Sequence, residues 1–314
     1  MTMSQTGEAG QIDPNGRTGE VFDIGYQNYE GPREGRRRAR RAVYKEGIRI
    51  ALGIGRGGRA KIMPWAFIIA AAIPALVLAL IAGTVDRLTG GLGDEVVDLP
   101  SHGDYYGIAS IIFLIFAAAV GPELLCSDRR DRVINLYLVR PITGTDYILA
   151  RWAAFLTIMT LVAWLPQFVL LAGLAFGAEN PATYLQDNWA DVPRFLASGF
   201  LLALYVTGIS LAVASFTNRR AYAAAFIIGI FVISLPFATG LSQDLGGTVG
   251  KYLALLEFSN VALLMNDIIF NEENLGTEET LATQLPKITQ IGWYALMTVG
   301  PFLVMWRRYW KISP

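Results

Sequence analysis

The 314-residue chain contains one cysteine, Cys126, and one histidine, His102. A lone cysteine excludes an intramolecular disulfide, and a lone histidine excludes a site built on paired histidines. The opening residues, MTMSQTGEAG, hold no apolar stretch, so no cleavable signal peptide is expected. Ionisable side chains are missing from the interiors of six long apolar runs; Arg151 lies only a few residues inside the third. A charge at the centre of a bilayer costs about 2.5–3.5 kcal/mol or more, and ion-coupled carriers keep one only where the ion path needs it. The chain has no evident relay, so an ion-coupled carrier ranks last among its possible functions. A nucleotide-binding loop is missing too. The nearest stretch, Gly53-Ile-Gly-Arg-Gly-Gly58-Arg59-Ala60, has Arg and Ala where a P-loop has Lys and Ser/Thr, and no strand precedes it. Its Gly53, Gly55 and Gly58 match a dinucleotide-binding pattern without the strand–helix setting that gives that pattern meaning. It reads as a flexible connector.

What the sequence has instead is apolar length. The runs cover about residues 62–83, 107–126, 147–176, 195–216, 222–241 and 288–306, in a chain that is 53% hydrophobic. At roughly 1.5 Å per residue, each is long enough as a helix to cross a hydrocarbon core about 30 Å thick. The third is longer than one perpendicular crossing requires, so tilt or extension beyond the bilayer is expected.

Net charge is zero, but its distribution is not uniform. Segments 1–61, 127–146, 217–221 and 307–314 hold 12, 4, 2 and 3 of the 26 Lys and Arg residues, whereas segments 84–106, 177–194 and 242–287 hold 1, 1 and 2. The latter three carry 15 of the 26 acids. By the positive-inside rule both termini are expected in the cytosol. The aromatic residues at span ends, Trp65, Trp152, Trp293 and Trp306 among them, suit the headgroup level. Prolines 74, 166, 236 and 301 fall within spans, where they serve either mobile kinks or static bends.

Residues 1–32 are polar and rich in Gly, Asn and acids, and read as a disordered or loosely docked tail. Residues 33–61 form a basic segment, and residues 62–314 the membrane domain. Within the basic segment Arg41, Lys45 and Arg49 recur every four residues and Arg56 follows seven later, while Val43, Ile50 and Ile54 occupy another face. One reading is an interfacial elbow helix, apolar side on lipid and basic side on anionic headgroups. The other is a plain basic anchor beside the first span. Gly47 and Gly53 weaken a helix here by up to about 1 kcal/mol each.

The most charged short element follows the second span: Glu123, then Asp128-Arg129-Arg130-Asp131-Arg132. Asp128 and Asp131 form a D-x-x-D pair, a pattern able to hold Mg²⁺. Three arginines surround it and no second acidic motif shares that face, so local ion pairing is the favoured reading. Glu123 is either a surface charge at a helix end or part of a docking joint. Gln167, the most conspicuous polar group within a span, is expected to bond a neighbouring helix.

The stretch Gly121-Pro122-Glu123-Leu124, Asp128-Arg129-Arg130-Asp131, Leu136-Tyr137-Leu138-x-Arg140-Pro141-Ile142 and Asp146-Tyr147-x-x-Ala150-Arg151 resembles the hallmark region of ABC-2 type transporter permeases. The resemblance covers most of residues 40–310. It implies an all-α polytopic membrane bundle of six transmembrane helices, with an N-terminal interfacial amphipathic helix and short outer re-entrant helices within 242–287. It further implies the permease subunit of an ATP-driven exporter in a bacterial inner membrane. No cofactor is expected on this chain; ATP and Mg belong to a separate ABC ATPase subunit, and a second permease chain completes the path. Glu123, Asp128, Arg129, Arg130, Asp131 and Arg132 then form the ATPase-coupling element, with Thr217–Ala221 a second contact or a simple turn. Anionic lipids are expected partners of Arg41, Lys45, Arg49 and Arg56; nucleic acid is not. Two rivals stand beside this: a scaffold that recruits a partner through its basic tail, and a metal-dependent membrane enzyme using Asp128 and Asp131.

Overall fold

In the computed structural model the described residues are 31, 35–55, 57–89, 101–134, 137, 142–178, 180–271 and 281–311. The expected tail, apart from residue 31, and Arg56 lie outside them. The described chain is built from helices, which we number α1 Gly35–Ala51, α2 Gly58–Thr89, α3 His102–Arg130, α4 Gly144–Gly177, α5 Pro181–Asp187, α6 Asp191–Ala214, α7 Arg220–Leu245, α8 Gly247–Ala254, α9 Val261–Phe270 and α10 Lys287–Trp310. There is no strand among the described residues.

Six of these helices, α2, α3, α4, α6, α7 and α10, are long and apolar enough to cross a membrane. Each contains one expected run, except that the fourth run continues two residues past the end of α6. α4 is the longest at 34 residues, about 51 Å, so it extends well beyond a hydrocarbon core. Local sequence sets the starts. Ser101 caps α3 and Thr143 caps α4, each in a reciprocal capping box with an acid three residues on, Asp104 and Asp146. Asn180 caps α5, with Pro181 in its first turn.

The spans divide into an inner and an outer group. In α3, α4 and α6, 61%, 56% and 67% of the most apolar window is buried, against 28%, 22% and 22% in α2, α7 and α10. Apolar surface gains little by leaving lipid for protein, so close packing and polar contacts carry helix association. Both are present. Gly173 of α4 faces Ala79 of α2 with no room for a Cβ, and one added at Gly177 would stand 3.1 Å from the Gly83 Cα. Aromatic donors reach backbone carbonyls across helices: Tyr105 to Ala71 at 3.0 Å, Tyr106 to Phe195 at 2.7 Å, Trp164 to Leu196 at 2.9 Å and Tyr294 to Leu201 at 2.8 Å.

At the end remote from the α3–α4 connection, a buried polar set joins four helices. The Gln167 amide of α4 donates to the His102 carbonyl of α3 at 2.8 Å, and its Oε1 lies 2.6 Å from His102 Nδ1. The polar group foreseen as a helix–helix contact is therefore one. Asn266 of α9 donates to the Gly103 carbonyl at 3.2 Å and accepts from Ser198 of α6 at 2.6 Å. The apolar stretch 252–265 is thus divided between the ends of α8 and α9, and α9 is buried among α3, α6 and α10.

The basic segment forms helix α1, with Arg41, Lys45 and Arg49 exposed on one side. Part of its apolar side packs on protein: Val43, Gly47 and Ile50 are buried, and α1 rests on α4 and α3. The reason is geometric. α4 is long enough to offer a protein surface beyond the bilayer, and a Cβ at Gly47 would sit 2.6 Å from the Ala154 Cβ. Glycine is what lets the two helices approach. Gly53 and Gly55, in the turn after α1, have φ +67 and +83, a conformation glycine adopts without steric cost.

Candidate functional site

The last turn of α3 is where the charged residues gather, and the sequence reading selected them as one element. The structure divides them into two groups. Asp128 points inward. Its Oδ2 accepts from Arg151 Nη2 at 2.6 Å and from the Tyr147 hydroxyl at 2.7 Å, both on α4. The Arg151 side chain is 0% exposed, and its guanidinium lies 5.6 Å from the Tyr147 ring centre and 6.0 Å from that of Tyr137. Tyr147 stacks on Tyr309 of α10 at 5.9 Å. One carboxylate therefore binds α3 to α4, and through the tyrosines to α10 and to the chain after α3. Arg129 also turns inward, donating to the Ser215 carbonyl at the end of α6. Cys126 lies against the Ala214 and Thr217 carbonyls at 3.6 and 3.4 Å.

Arg130, Asp131 and Arg132 face outward. Arg130 Nε bonds Asp131 Oδ1 at 2.9 Å, which holds the exposed Asp131 carboxyl below its ordinary range. Helix α3 ends in a Schellman arrangement: the Val133 N–H reaches the Asp128 carbonyl at 3.0 Å, with Arg132 in the left-handed region at φ 55. Glycine is the usual residue there. An arginine at that position is thrust out at the apex of the turn, at some cost in backbone strain.

Glu123 is not a lone surface charge. Half-buried, it accepts from Arg220 at the start of α7 at 2.6 Å, across 97 residues. Between α3 and the 217–221 turn lies a polar notch of about 320 Å³, lined by Glu123, Arg130, Asp131, Asn218, Arg219 and Arg220. The end of α3 and the 217–221 turn thus form one surface.

A second cavity, about 750 Å³, lies between the basic face of α1 and the chain following α3. Arg41, Lys45 and Arg49 line it, with Val133, Tyr137 and Ile142 opposite. α1 is pinned at its start by Arg36, whose Nε donates to Asp146 Oδ2 at 2.6 Å, with Arg40 at 3.7 Å from the other oxygen.

The D-x-x-D pair does not converge: Asp128 is buried against Arg151 and Asp131 is exposed against Arg130. Among the described residues no group of three His, Cys, Asp or Glu side chains is placed to hold a metal. Sequence reasoning passed over Tyr147 and Tyr309 as site residues and left Arg151 out of the coupling element. A cation just inside an apolar run was the available signal, since burial at that depth requires a partner.

The six long apolar helices and the polar contacts between them define a multi-pass helical membrane protein. A family model described as "ABC-2 family transporter protein" matches residues 4–311, nearly the whole length, and the chain belongs to that family. A comparison with curated proteins finds no match.

Proposed function

We propose that this chain is the permease subunit of an ATP-driven exporter, with both termini and the α3–α4 connection in the cytosol of a bacterial cell. A separate ABC ATPase binds ATP and Mg and docks on the turn Arg130–Arg132, together with the notch beside Arg219 and Arg220. A second permease chain, identical or related, packs on part of the apolar surface of the outer helices and completes the path. The exposed isoleucines and leucines of α2 (Ile69, Ile73, Leu76 and Leu80) supply such a surface.

The observation that carries this reading is the division of labour at the end of α3. Arg130, Asp131 and Arg132 face outward, while Asp128, Arg129 and Cys126 in its last two turns hold α4 and the end of α6, and Glu123 a turn earlier holds α7. A push on the outward face therefore displaces three spans at once. Outward charges give docking its register and its dependence on salt.

The test is reconstitution of the chain with its ATPase in proteoliposomes, comparing wild type with an Arg130→Glu/Arg132→Glu variant. Both positions are exposed, so folding is expected to be retained. The proposal expects ATPase binding and transport-coupled hydrolysis to be lost in the variant. Unchanged coupling would overturn it, and a wild-type complex that never couples hydrolysis to transport would favour a scaffold.

A further inference from the structure

Helices α7 and α10 both lean on α6 and leave an apolar groove between them. Its first part, about 570 Å³, is lined by Ile209, Phe226, Ile230, Phe258, Met297 and Pro301. A second part, about 740 Å³, continues along α7 as far as Phe237 and shares Tyr222, Phe226, Ile230 and Phe258 with the first. From Tyr222 to Phe237 the groove follows about 22 Å of helix, more than one leaflet of a hydrocarbon core about 30 Å thick. Phe226 and Phe237 remain 62% and 56% exposed, so the lining is open and not collapsed on itself.

The mouth of the groove has a different chemistry. Phe216 and Tyr222 form its rim, and each carries an arginine on its face: Arg308 stands 4.8 Å from the Phe216 ring centre and Arg219 stands 5.4 Å from that of Tyr222. Arg219 Nη1 also donates to the Tyr222 hydroxyl at 3.2 Å. The carboxylates of the neighbouring joint are engaged elsewhere, Glu123 with Arg220 and Asp131 with Arg130. Among the described residues neither Arg219 nor Arg308 is ion-paired. A guanidinium has five N–H donors, so one held over a ring keeps donors to spare for a phosphate. The start of α7, directly behind Arg219, has no side-chain cap, so its first N–H groups add positive potential at the same place.

We propose that this groove is a binding site for an anionic glycerophospholipid, with an acyl chain along α7 and the headgroup phosphate on Arg219 and Arg308. Charge complementarity selects the occupant. The apolar part alone would accept any acyl chain, because a lipid tail leaves hydrocarbon for hydrocarbon and gains only packing. Two arginines at headgroup depth convert that indifference into a preference for a net negative charge. The site is separate from the basic face of α1, and it stands on the groove and its rim whether or not the chain works as an exporter.

The test is native mass spectrometry of the purified full chain in mixed micelles carrying phosphatidylglycerol or phosphatidylcholine. Wild type is expected to retain one phosphatidylglycerol with at least about tenfold preference over phosphatidylcholine. Arg219→Ala/Arg308→Ala should abolish the preference and leave both lipids bound alike. Gly229→Phe should displace both, because Gly229 lines the groove and a Cβ there meets nothing within 4 Å, so the ring enters open space without disturbing the fold. Equal retention of the two lipids by wild type would overturn the proposal. So would phosphatidylglycerol retention that Gly229→Phe leaves untouched, or a change in oligomeric state in that variant with lipid content unchanged, which would assign the groove to a second copy.

Discussion

Asp128 and Arg151, 23 residues apart in sequence, meet at 2.6 Å between the end of α3 and the first turns of α4, with the arginine fully withdrawn from solvent. A buried ion pair is costly to form and costlier to break, because removing one partner strands the other charge. Asp128→Leu or Arg151→Met alone should destabilise the protein by about 3–5 kcal/mol. The double variant should recover most of that loss. Unfolding of the detergent-purified proteins, read as a double-mutant cycle, checks this; additive losses would mean that the pair does not act as a unit.

The contact of Gly47 with Ala154 makes a second prediction. Since a Cβ at Gly47 would lie 2.6 Å from the Ala154 Cβ, Gly47→Ala should move α1 off α4 and cost about 1–3 kcal/mol. Adding Ala154→Gly should restore both stability and the packing of α1, measured as protection of the exposed α1 face from protease. A Gly47→Ala variant as stable as wild type would show that α1 is not held at this contact.

Arg132 separates backbone strain from charge. Gly at this left-handed position relieves the strain of φ 55 but gives up conformational entropy, so Arg132→Gly should change stability by no more than about 1 kcal/mol. It should nonetheless weaken ATPase stimulation, because the apical cation is gone. Full stimulation in Arg132→Gly would remove Arg132 from the docking surface.

The sequence disclosed those features that depend on composition along a single helix. Long runs nearly free of charge fixed the six spans, while their capped starts, Ser101 with Asp104 and Thr143 with Asp146, lie four to six residues before the apolar runs begin and were not read from the sequence. It disclosed less about what a face meets. The stripe Val43–Gly47–Ile50 is equally apolar whether it rests on lipid or on α4; only the glycine in its middle hinted at a close helix neighbour. Within the D-R-R-D cluster, neighbours in sequence face opposite ways, Asp128 inward and Asp131 outward: on a continuing helix residues three apart would share a face, but α3 ends at Arg130 and Asp131 is its C-cap, where the chain turns away. Pairings such as Glu123 with Arg220, across 97 residues, follow from tertiary packing and leave no trace in spacing.

The proposed docking face, the turn after α3, is open to direct labelling. Cys126 is the chain's single thiol, so Cys126→Ser with Arg132→Cys provides one reporter at the apex of that turn. A membrane-impermeant maleimide should label this cysteine in inside-out vesicles stripped of ATPase, and adding the ATPase subunit should protect it. Labelling from the outside of intact cells, or labelling in vesicles that the ATPase leaves undiminished, would contradict the account.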